Sequence, residues 1–177
     1  MEKIQCRIKG VAPFYFSKPT KDKTPKTEAK EIEVAKNRVY CTEAGALYAP
    51  SRQIRWCIIS AITMAKMKIE RSSKRAKELF ISLVFIEPDE ILFQPGKTMD
   101  DIKIIEHWTQ LDMGKIKPVK VACIPEAGWT LEFIIHYNEL IEPEFIKEAL
   151  DNAGMLCGIG GKRLDHNGRF EVVEFKS

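Results

Sequence analysis

Residues 129 to 175 constrain the fold more than any other stretch. WTLEFIIHY at 129–137 alternates Trp129, Leu131, Phe133, Ile135 and Tyr137 with Thr130, Glu132, Ile134 and His136. One face is continuously apolar, which is the two-residue period of a half-buried strand. EPEFIKEALDNAGMLCG then sets Phe145, Ile146, Ala149, Leu150 and Ala153 on one stripe, with Pro143 near the first turn and acids at the N-terminal end. That pattern predicts an amphipathic helix stopping at Gly154 or shortly after. The chain then reads GIGGKRLDHNGRFEVVEF (158–175), a glycine-rich turn followed by a final strand.

The first half supplies a matching unit. Residues 3 to 16 open with Ile4, Cys6 and Ile8 alternating against Lys3, Gln5, Arg7 and Lys9, a first strand. Residues 17 to 38 are rich in Lys, Thr and Pro, and predict a basic, flexible loop or protruding hairpin. Pro50 and Ser51 suit a helix start, after which Ile54, Ile58, Ala61, Ile62 and Ala65 share one face. A basic run at 66–77 leads to apolar segments at 81–86 and 91–93, expected as buried strands joined by a turn at Pro88 and Asp89. The pattern weakens at 97–118, where a short helix within an insertion is expected. The order is βαββαβ: an α+β, ferredoxin-like (RRM-like) antiparallel sheet with helices on one face and long insertions. At 177 residues the chain is expected to be one domain, 1–177.

Composition narrows the function classes. With 28 basic and 25 acidic residues the formal charge is +3, which permits a polyanionic partner without requiring one. Five scattered cysteines form neither a disulfide framework nor a zinc pattern, so neither a metal nor a cofactor is expected. The start MEKIQCRIKG lacks a signal-type apolar run, and no stretch is long enough to span a bilayer, so the expectation is a cytoplasmic protein.

The glycine-rich turn follows a helix and precedes a strand. Nucleotide-binding glycines have the opposite order, following a strand and opening a helix. What remains is a backbone able to offer successive N–H groups to an anion, at Gly158, Gly160 and Gly161, flanked by Lys162, Arg163 and Arg169. The same spacing suits a plain helix-to-strand connection with solvated cations. Arg52 and Arg55 lie in the first turns of the first long helix, where the dipole disfavours cations, so they either reach a partner or are tolerated at the surface.

GIGGKRLDHNGRFEV (158–172) resembles the glycine-rich loop of the RAMP superfamily, the RNA-binding proteins of CRISPR effector complexes, and LYAPSRQIRWCI (47–58) resembles the stretch opening their first helix. The resemblance implies binding of RNA or single-stranded DNA mainly through the phosphate backbone. It carries over to Gly158, Gly160, Gly161, Lys162, Arg163, Arg169, Arg52 and Arg55, with Lys18, Lys21, Lys23 and Lys26 as further charge. It also implies association with copies of itself or with other subunits of a ribonucleoprotein. The chain departs from the family in its shorter length and in carrying Asp165, His166 and Asn167 where small residues are usual. The ending GRFEVVEF is similar to that of uncharacterised proteins of tailed phages and prophages. Two alternatives stay open: a metal-independent endoribonuclease of RAMP type, and a phage protein that mimics or docks onto a CRISPR complex. For catalysis His166 is the one candidate, although Asp-His-Asn-Gly is ordinary turn chemistry. Phe14, Tyr15, Phe16, Trp56 and Phe170 are candidate base-stacking rings, with core packing expected for most.

Overall fold

The structure, a computed structural model, describes residues 1–21, 27–110 and 116–176. Its main sheet is built around β1 (Glu2–Gly10), which pairs antiparallel with β8 (Thr130–Tyr137) on one side and β9 (Phe170–Lys176) on the other. On its far edge β8 pairs antiparallel with β4 (Phe85–Glu87) and β5 (Glu90–Gln94), and β3 (Tyr48–Pro50) pairs with β5. The order β9-β1-β8-β5 is the ferredoxin-like arrangement that the sequence order implies.

Its crossovers are α2 (Ser51–Met64) and α4 (Pro143–Asn152), each followed by strands of the same sheet. The register Ile4↔Ile135, Cys6↔Phe133, Ile8↔Leu131 puts every inward strand residue opposite another, so no polar side chain enters the layer. Against them lie Ile54, Cys57, Ile58, Ala61 and Ile62 of α2 and Ile146, Ala149 and Leu150 of α4, all buried in one cluster. Burying each of the larger aliphatic chains is worth about 1.5–3 kcal/mol, so the helical stripes hold the sheet by area rather than by polar bonds.

Four local expectations are corrected. The alternation at 3–16 does not continue as one strand: the chain leaves the main sheet at Gly10, and Phe14–Tyr15 (β2) pairs with β7 (Ile116–Ile124). Trp129 forces the exit. A Cβ on Gly10 would lie 2.0 Å from the indole ring, and the indole Nε1 donates to Ala12 O at 2.9 Å. At 17–38 the loop reading fails over α1 (Glu28–Asn37), where Thr27 caps Lys30 N–H and Glu28 and Glu31 occupy the first turn. Lys23 and Lys26 lie outside the described residues. Residues 81–83 are not strand but the end of α3 (Ser73–Leu83), capped by the Ser72 hydroxyl at Arg75 N–H. A short apolar run fits a helix as well as a strand, and the cap decided it. Finally, the short helix expected in 97–118 is only a single 3-10 turn at Met99–Asp101. It is followed by β6 (Lys103–Gln110), which pairs antiparallel with β7.

These corrections create a second sheet, β2-β7-β6, beside the ferredoxin-like one. Here α1 packs on β7, while Phe14, Ala122 and Ile124 join the main core. Phe14 meets Phe16, Phe93 and Trp129 edge-on at 5.1, 4.9 and 5.5 Å between centroids, which ties the two sheets together.

Candidate nucleic-acid interface

After α4 the helix widens into a π-helical turn at Ala153–Cys157 and ends at Gly158, whose N–H donates to Ala153 O at 2.8 Å. From there the glycine-rich loop is stitched to its surroundings: Ile159 N–H donates to Gly168 O, Gly161 N–H to Tyr15 O, and Gly168 N–H to Pro13 O. The amides of Gly158 and Gly161 are therefore bonded within the chain and are not offered to an anion. Gly168 has the tightest requirement. It has φ +69°, and a Cβ there would stand 1.7 Å from Ile159 O.

This stitching lifts Lys162 into the left-handed region, φ 53°, and starts a 3-10 turn at Arg163. Lys162, Arg163 and Arg169 then line one open cleft of about 800 Å³ together with Ser60, Met64, His107, Trp108 and Cys157. Four elements contribute: the end of α2, β6, the π turn and the loop. Arg169 donates from Nη1 to Met155 O at 2.9 Å, which fixes its guanidinium beside the cleft. Asp165 is the one carboxylate among the described lining residues, and its Oδ2 lies 3.1 Å from His107 Nε2. With Nε2 facing that carboxylate, the other ring nitrogen, Nδ1, is buried and meets no partner, so neither nitrogen is presented to a substrate hydroxyl. His166 lines neither this cleft nor its neighbour.

Trp108 is the residue that sequence reasoning missed. It is 64% exposed on β6 at the cleft and offers a flat ring that no core position claims. Its one signal was the neighbouring pair His107–Trp108, in a stretch whose period was too weak to place. Of the rings singled out from the sequence, Phe14, Tyr15, Phe16 and Phe170 are buried, and Trp56 is exposed.

The arginine pair divides. Arg52, Trp56, Ser60 and Met64 follow one another at i, i+4 along a single edge of α2, the last two at the cleft, with Arg52 about 12 Å farther along the axis. Arg52 reaches Tyr40 OH at 3.4 Å and keeps its exposure. Arg55 points elsewhere: its guanidinium donates to Ile81 O in the last turn of α3, where it satisfies a helix-end carbonyl.

Beneath the cations, the Cys157 thiol is pulled down to about 7, first by a hydrogen bond from Cys57 and then by Arg163 and Arg169, against the opposing effect of burial. Burial and the same pairing push Cys57 up. Partial burial pushes the Lys162 ammonium down; Asp165 opposes this and Arg38 adds to it.

The open face of the main sheet is a different environment. Arg7 bridges Glu132 at 2.8 Å and Glu174 at 3.5 Å, and His136 Nε2 lies 2.8 Å from Glu87. RRM-type domains stack bases on that face, whereas here Arg7 and His136 on it face carboxylates.

A scan against protein-family models finds no match, and a search of curated proteins finds none. Among solved structures, a chain in a cryo-EM structure of the Type III-B Cmr-beta bound to cognate target RNA matches with a TM-score of 0.65 and 13% identity. The match covers 98% of this chain and 59% of that one. What is shared is the fold, with its ferredoxin-type sheet. This chain thus spans about 59% of the length of the chain it matches. Among the described residues no helix is long and apolar enough to cross a membrane.

Proposed function

We propose that this chain binds RNA or single-stranded DNA mainly through the phosphate backbone, along the cleft between the glycine-rich loop and β6. The observation that carries this reading is the convergence of Lys162, Arg163 and Arg169 from one loop opposite the exposed ring of Trp108. Cations hold phosphates without reading sequence, and an exposed aromatic ring stacks on any base. The likeness in fold to a chain from a complex bound to target RNA supports RNA over DNA and supports a place beside further subunits or copies of itself in a ribonucleoprotein. Metal-independent cleavage is the rival reading, and the engaged Nε2 and buried Nδ1 of His107 favour binding over it.

Fluorescence anisotropy with a labelled oligouridylate and its deoxythymidine counterpart over a salt series tests the proposal. Lys162→Gln, Arg163→Gln and Arg169→Gln together should flatten the salt dependence by a slope of about 0.7 for each phosphate that is no longer neutralised. Absence of binding by the unmodified chain at low salt would end the proposal. Intact RNA after long incubation with EDTA would retire cleavage.

A further inference from the structure

Lys162 lines a second void as well as the cleft. This pocket, of about 300 Å³, shares Lys162 with the cleft and is bordered by Phe16, Ser17, Lys18, Arg38, Gly161 and Lys162. We infer that it is a second phosphate subsite, so that the backbone of a bound strand straddles Lys162, with one phosphate in the cleft and another among Lys18, Arg38 and Lys162. This rests on the reading of the cleft as a nucleic-acid interface and adds to it where the strand leaves.

Backbone bonds bring together the segments that carry these cations. Lys18 N–H donates to Arg38 O at 3.0 Å, which draws the end of α1 against the segment after Phe16. Phe16 N–H donates to Ala122 O at 3.0 Å and Gly161 N–H to Tyr15 O at 2.7 Å, which anchors the loop to the same segment. Three like charges are thus gathered around one small void by bonds between backbone groups. No carboxylate is among the described residues that line it, in contrast to the cleft, where Asp165 offsets part of the charge. An anion entering this void meets Lys18, Arg38 and Lys162 together. The exposed Ser17 hydroxyl adds a neutral donor at the rim. Phosphate is the anion that a strand lying in the adjoining cleft brings to this position, and free phosphate shares its chemistry.

The test compares the unmodified chain, Lys18→Gln/Arg38→Gln, the charge-retaining Lys18→Arg/Arg38→Lys, and Arg163→Gln/Arg169→Gln, using a labelled single strand of about 12 nucleotides, within the usual footprint of such sites. Lys18 and Arg38 are exposed, so thermal melting should confirm that the variants fold. The expected result is a salt slope lower by about 0.7 in Lys18→Gln/Arg38→Gln, corresponding to the one phosphate of the subsite, and restored in the charge-retaining pair. Inorganic phosphate at constant ionic strength should weaken binding of the unmodified chain more than that of Lys18→Gln/Arg38→Gln. An unchanged slope in Lys18→Gln/Arg38→Gln, with a lowered one in Arg163→Gln/Arg169→Gln, overturns the subsite and leaves the cleft standing. Equal weakening by phosphate in both proteins also overturns it. No binding by the unmodified chain removes the cleft and the subsite together.

Discussion

His107 Nε2 and Asp165 Oδ2 lie 3.1 Å apart, and this pair joins the second sheet to the glycine-rich loop at the wall of the cleft. It also places the only carboxylate among the described residues that line the cleft where a strand's phosphates would pass. Asp165→Asn should therefore raise affinity for single-stranded RNA by about two- to five-fold, in line with the fraction of a kcal/mol to about 1 kcal/mol typical of half-exposed charges. Parallel titrations at low and high salt check this, and the gain should shrink as salt rises.

Trp108→Ala separates stacking from charge. The ring is 64% exposed, so the variant should keep its melting temperature. Its removal should cost about 1–3 kcal/mol of single-strand binding without altering the salt slope, because every phosphate-binding cation is still in place. Quenching of indole emission on RNA addition, absent from the variant, gives a second readout.

Arg55 should behave in the opposite way. Removing its donation to Ile81 O by Arg55→Met should lower stability by about 1–3 kcal/mol, the range for a hydrogen bond to a charged donor, with no change in salt slope. Denaturant melts and binding titrations on the same samples tell this apart from a phosphate-binding role.

Gly168→Ala and Gly45→Ala form a matched pair, since both glycines have positive φ, +69° and +86°. At Gly45 an added Cβ meets nothing within 4 Å, so the cost is the left-handed strain alone, about 1–2 kcal/mol. At Gly168 the added Cβ also strikes Ile159 O at 1.7 Å. Chemical denaturation should show a clearly larger drop in stability for Gly168→Ala, together with weakened RNA binding as the loop shifts.

The Cys157 thiol, lowered to about 7, should be alkylated by iodoacetamide at a rate that rises through pH 7 and levels off above it, since the thiolate is the reactive form. Cys57→Ala removes the largest stabilising interaction and Arg163→Gln/Arg169→Gln the remaining ones, so each should move the midpoint upward, toward the ordinary value of 9.0. RNA seated in the cleft should slow the reaction at every pH.

Elements whose own residues repeat with a clear period were legible from the sequence. Leu131, Phe133, Ile135 and Tyr137 of β8 and Ile146, Ala149 and Leu150 of α4 occupy the core positions that their spacing implies. α1 escaped because its stability comes from the Thr27 cap and the acidic first turn, with Ala35 its only buried residue, so it shows almost no apolar stripe. The opposed roles of Arg52 and Arg55 escaped as well, because Ile81 O lies 26 residues beyond Arg55 and no spacing within α2 points to it.

By itself the sequence determined the βαββαβ order of the ferredoxin-like unit and the concentration of positive charge on the glycine-rich loop, because both follow from local periodicity and composition. The tertiary structure alone decided which cations share a void, that Trp108 stands beside them, and that His107 faces Asp165. Those relations join β6, α2 and the C-terminal loop, segments that the chain separates widely and that only the packing of two sheets around Phe14 and Trp129 brings together.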